Sequence, residues 1–161
     1  CGAGVVVLVG GFFMARDLLS GPGTMSASGD GRPARELTFT MPGGGTETLR
    51  FQPDTPEAAT AAAARVAAFE RRWNDLADTI RTTPRDRLAA PVADQQALAR
   101  EGKRIELTEC LEPGRVFWSA ALDAEVAFVG SLIAGRRDSQ SLAAEVSRNF
   151  ENWKKVEVAC R

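Results

Sequence analysis

The chain has 161 residues, 44% hydrophobic and 25% charged, enough apolar material for one folded domain and unlike a disordered chain. Its 20 Lys and Arg balance 21 Asp and Glu to a formal net charge of −1, so no global positive field points to nucleic acid. Histidine and tyrosine are absent, which removes Ser–His–Asp and Cys–His catalysis and every histidine-ligated metal or haem centre.

The chain starts at Cys1, the residue that bacterial lipoprotein maturation leaves as its lipid-bearing terminus. Lipidation of Cys1 is the expectation; an arbitrary start is the alternative. Residues 2–15 (GAGVVVLVGGFFMA) carry no charge until Arg16 and Asp17. As a helix this run reaches about 21 Å, short of the ~30 Å hydrocarbon core. It reads as the outer end of a transmembrane helix, as an acylated terminus with its first turns in the membrane, or as a buried strand, since residues 5–9 (VVVLV) have strong β character. The first two readings agree on a membrane anchor over residues 1–19, in contact with membrane lipid and offering Phe12 and Phe13 to a partner. Gly2, Gly4, Gly10 and Gly11 lack the spacing of a dinucleotide fingerprint and suit close helix packing instead.

Residues 20–35 (SGPGTMSASGDGRPAR) form a Gly/Ser/Pro linker with little to bury. A domain over residues 36–161 follows. Leu37, Phe39 and Met41 alternate onto one strand face, residues 42–45 (PGGG) turn the chain, and a return strand over residues 46–52 brings Leu49 and Phe51 inward. The glycines are not followed by a GK[ST] phosphate-loop ending, so the turn reading is preferred.

A long helix is predicted next, capped by Asp54 or Thr55, with Pro56 in its first turn and its end at Thr82-Thr83-Pro84. Ala59, Ala62, Val66, Phe69, Trp73, Leu76 and Ile80 recur at alternating spacings of three and four, which makes one apolar stripe. Arg65, Glu70, Arg71, Arg72, Asp75 and Asp78 lie largely off it, and their mixed signs read as a solvated face. A shorter helix is expected from Pro91 to Gly102. Residues 103–110 alternate through Ile105 and Leu107 and suggest a third strand. A second long helix spans Arg115 to Ala134, stopped by Gly135; Asp123 and Glu125 within it argue against a membrane span. The last helix runs from Ser139 to Val156, with Leu142, Val146, Phe150, Trp153 and Val156 on its apolar face.

With Cys1 lipidated, Cys110 and Cys160 remain as an even pair, which suits a disulfide in an oxidising compartment; two buried thiols are the alternative. No CxxC pattern offers a thiolate metal site. The carboxylate pairs Asp75/Asp78 and Glu106/Glu109 sit in no apolar context that would split their pKa values for acid–base work, and Arg136-Arg137-Asp138 reads as a loop and helix cap. Trp73, Trp118 and Trp153 fall on apolar faces and read as core. Trp118 is the one suited to anchor a protein interface, because adjacent Phe117 points elsewhere around the helix.

The expected fold is α+β and mainly α: three to four helices packed with a β-hairpin, with or without a third strand, preceded by an apolar anchor and a linker. The expected function is that of a non-catalytic accessory or structural subunit of a membrane-associated bacterial complex. It would use no metal or cofactor, bind no nucleic acid, lie on the extracytoplasmic side and bind a larger membrane protein or multi-subunit complex. The alternative is a lipoprotein that holds a small ligand or lipid in a cavity between hairpin and helices.

Overall fold

The structure, a computed structural model, describes residues 33–161 and the backbone of Ser26–Ala27. The elements run β1 (Ser26–Ala27), β2 (Pro33–Thr40), β3 (Thr46–Phe51), α1 (Pro56–Thr82), α2 (Ala89–Gly102), α3 (Arg115–Ala134) and α4 (Ser139–Ala159). The α+β, mainly α expectation is met.

Alternation makes the hairpin. Phe39 and Phe51 are buried, and Leu37, Met41 and Leu49 pack half-buried against the same core. The register pairs Leu37 with Leu49 and Thr38 with Thr48, so the strands are antiparallel and every second residue faces the helices. The turn needs glycine at two places: Gly44 and Gly45 hold φ of 88° and 80°, where a Cβ is disfavoured. A lone hairpin is marginal in water. Here Phe39 stacks 4.9 Å from Phe117 of α3, and the Asn152 amide of α4 donates to the Thr40 carbonyl at 3.2 Å.

Thr55 caps α1 by accepting the Ala58 N–H, and Pro56 occupies its first turn. Ala62, Val66, Phe69 and Trp73 bury their side chains, while Leu76 and Ile80 further along the same stripe are half-buried. α2 returns antiparallel. α3 ends where Gly135 takes φ 66°; its N–H bonds the Leu132 carbonyl and the Arg136 N–H the Ser131 carbonyl, a Schellman ending that lets α4 fold straight back.

α3 is the centre of the domain. Phe117 is 0% and Trp118 1% exposed, although they point in different directions. The hairpin covers one side, and α1 and α4 cover the other: the Trp118 ring lies 5.3 Å from Phe69, 6.0 Å from Phe150 and 5.3 Å from Trp153. Its indole N–H donates to the Gly102 carbonyl at 2.8 Å, which ties the end of α2 into the aromatic cluster. Two buried amides, Gln95 and Asn149, have no hydrogen-bond partner among the described residues.

Residues 103–110 are irregular, not a third strand. Ile105 and Leu107 do pack against the core, as the alternation implies. Their backbone, however, is satisfied by side chains: Arg115 donates to the carbonyls of Lys103 and Ile105, and Arg65 to that of Glu106. The extra strand is instead β1, whose Ser26 and Ala27 pair antiparallel with Ala34 and Pro33. β1 and the start of β2 both fall within the stretch read as linker.

Candidate functional site

Cys1, Phe12 and Phe13 lie outside the described residues. Cys110 and Cys160 are joined by a disulfide that pins the end of α4 to the loop before α3, across a separation of 50 residues. Both cysteines are buried. Asp54 stands beside the bridge: its backbone N–H donates to the Cys160 carbonyl at 3.0 Å, and its carboxylate accepts the Thr108 hydroxyl at 2.6 Å. These three side chains lie close enough to share a metal ion, but sulfurs bonded to each other have no thiolate to offer.

Trp118 is sealed in the core and presents no side chain to a partner. The interface role expected of it is corrected by this burial. The reasoning from Phe117 fails because α3 has structure on both sides. The other candidate groups fall apart in space or are engaged locally. Asp78 pairs with Arg81 one turn on, Arg136 lies 3.5 Å from Asp138, and the Asp138 carboxyl also takes the Ser131 hydroxyl. That hydroxyl, aided by Arg136, holds Asp138 below the usual carboxylate range against the opposing effect of desolvation. Glu106 and Glu109 are exposed.

Two surfaces stand out. The first is a cleft of about 660 Å³ between α1 and α2. Its floor is apolar, from Ala68, Ala97, the edge of Phe69 and Ile105; its rim carries Arg65, Arg72, Arg100 and Arg104 against the single carboxylate of Glu101. Glu101 is held in a two-pronged pair with Arg72, whose hydrogen bonds keep its carboxyl below the ordinary range. Arg65 uses its Nε on the Glu106 carbonyl at 3.1 Å. Arg100 and Arg104 are exposed, with no side-chain partner among the described residues. The site was not legible in the sequence because Arg65 stands alone among alanines and Arg72 between Glu70 and Asp75. Only the packing of α2 and the loop after it brings Arg100 and Arg104 beside them.

The second surface is one end of the helical bundle, where the α1–α2 and α3–α4 connections meet and Arg85 donates to the Ile133 carbonyl. Ile80, Leu88, Val92, Phe128, Val129, Leu132, Ile133 and Leu142 gather there outside the buried core; Leu132 is 36% exposed and the rest half-buried. The buried apolar side chains of α3 stop at Ala124, with Val126 half-buried against the core; beyond them Ser131 is buried. By length and composition the stretch Glu112–Ala134 could cross a membrane, and 33% of its most apolar window is buried. A small hollow beside the disulfide, lined by Asp54, Ala59, Val66, Leu111 and Cys160, measures about 20 Å³, about the room for one water. Phe39 and Phe51 of the hairpin are buried against the helices.

Comparison with protein-family models, with curated proteins and with solved structures finds no match to this chain.

Proposed function

We propose that the protein is a non-catalytic accessory or structural subunit of a membrane-associated bacterial complex, held at the membrane by its N-terminal segment and packed against a larger protein. The observation that carries this reading is the apolar end of the bundle, where the second half of α3 leaves Phe128, Val129, Leu132 and Ile133 only partly covered. Apolar side chains left partly open to water at one end of a bundle gain stability when a partner covers them. The charge-free run of residues 2–15 supports the anchor, and the Cys110–Cys160 bridge supports an oxidising, extracytoplasmic compartment.

The test uses the full chain in membranes of its source cell. A Val129→Glu/Leu132→Glu variant should keep the melting temperature of the parent, since both side chains sit at the edge of the core, and lose stoichiometric co-purification with its partner. Retained association at unchanged stability would overturn the reading. Intact mass of the native protein tests the anchor: an unmodified thiol at Cys1 would exclude lipidation.

A further inference from the structure

We infer that the cleft between α1 and α2 binds an acidic segment of a protein partner, with its carboxylates on the guanidiniums of Arg65, Arg100 and Arg104 and an apolar side chain on the floor between them. The inference rests on the subunit reading and deepens it with a second contact surface, distinct from the apolar end of the bundle.

The geometry argues for a peptide. Arg65 and Arg72 are seven residues apart on α1, about 10.5 Å along the axis, and Arg100 of α2 and Arg104 of the loop after it line the other side. Four cations against one carboxylate give the cleft a local excess of positive charge in a chain whose net charge is −1. Glu101 already neutralises Arg72, so the available charge concentrates on Arg100, Arg104 and the outer nitrogens of Arg65. Planar guanidiniums pair with carboxylates through two parallel N–H donors, and such pairs gain when a neighbouring apolar contact excludes water. Ala68 and Ala97 supply that contact. Both are small and exposed, so a third backbone can approach α1 and α2 closely.

Competing anions fit less well. Inorganic phosphate would leave the apolar floor of a 660 Å³ cleft uncovered. A bilayer surface is flat, whereas these arginines line a concave site. Single-stranded nucleic acid needs exposed aromatic platforms, and the one aromatic ring in the cleft, Phe69, is 4% exposed.

The experiment titrates the full chain with a fluorescein-labelled helical peptide carrying Glu on one face and Leu on the other, and with its Gln counterpart. The acidic peptide should bind and the Gln peptide should not, with affinity falling as salt rises. Arg100→Glu/Arg104→Glu should weaken binding by about tenfold or more, whereas Arg71→Glu/Arg148→Glu, the same charge change outside the cleft, should leave it nearly unchanged. Equal loss in both variants would reduce the effect to net charge and overturn the proposal. So would absent binding of the acidic peptide, or binding of inorganic phosphate or phosphatidylglycerol vesicles with the same sensitivity to the Arg100/Arg104 variant. Because the subunit test reads Val129 and Leu132, failure of the peptide to bind leaves that test standing, and loss of the partner leaves the peptide result to be judged alone.

Discussion

Removing the Cys110–Cys160 bridge should be the most damaging change to stability that leaves every apolar contact in place. The bridge spans a separation of 50 residues, and in the chain-entropy model a loop of that size is worth about 4 kcal/mol at 25 °C. Residual structure in the unfolded chain reduces that figure, so we expect a loss of about 3–4 kcal/mol, or roughly 10–15 °C in melting temperature for a domain of this size. Urea unfolding of Cys110→Ala, Cys160→Ala and the double variant measures it. The diagnostic is non-additivity: either single substitution opens the loop, so the double should cost hardly more than one single. The urea slope should also rise, because the opened unfolded chain exposes more surface. Costs that add across the two singles, or a total under about 1 kcal/mol, would mean two independent buried thiols and refute the loop argument.

Two further substitutions test the core. Gly102→Ala improves helix propensity, yet a Cβ there would overlap the ring of Phe69 and stand 2.9 Å from Cδ1 of Leu122. That ring is fixed between Trp73 and Trp118, so we expect overpacking to win, with a net loss of about 1–3 kcal/mol by urea titration; an unchanged midpoint would show that the ring can move. Glu125 is half-buried beside Trp73, and desolvation pushes its carboxyl above the ordinary range; the Trp73 indole N–H opposes this only in part, without a hydrogen bond of normal geometry. The native state therefore holds this proton after the unfolded chain has lost it, and stability falls as pH rises through and above the usual carboxylate range. Glu125→Gln should raise the melting temperature at pH 8 and leave it nearly unchanged at pH 4, and an equal shift at both would refute the assignment.

Local signals were legible in the sequence where they act locally. The Arg115–Ala134 bounds of α3 follow from Pro113 and Gly135, and the hairpin follows from its alternation and glycine turn. What the sequence could not show is which side chains meet from afar. The sequence places Phe117 and Trp118 on different sides of α3 but does not show that the hairpin covers the Phe117 side. The basic cleft is assembled from arginines on α1, on α2 and in the loop after α2, which lie far apart along the chain. β1 lies in a Gly/Ser-rich stretch with no strand signal of its own; its pairing comes from the free edge of β2.

The loop over residues 103–110 shows the same limit and carries its own test. Ile105 and Leu107 alternate as a strand does, but no strand among the described residues pairs with them. The fork of Arg115 holds the start of the loop instead: one guanidinium nitrogen donates to the Lys103 carbonyl at 2.7 Å, another to that of Ile105 at 3.0 Å, and the Glu112 carboxylate aligns the group from the other side. Those hydrogen bonds hold the Glu112 carboxyl below its ordinary range. A lysine keeps the charge but is a point donor on a flexible stem and cannot serve two carbonyls and a carboxylate in one plane. Arg115→Lys should therefore cost about 1–2 kcal/mol, most of it from carbonyls left half-buried without a donor. The loss should be local as well as global: amide exchange over residues 103–110 should accelerate while α3 and α4 retain their protection. Because this loop carries Arg104 and Ile105 into the cleft and Cys110 into the bridge, loosening it should also weaken the acidic peptide of the titration above without touching a cleft residue. Unchanged exchange in the loop would mean that core packing of Ile105 and Leu107 alone fixes its path, and the guanidinium would then be a consequence of the loop's shape and not its cause.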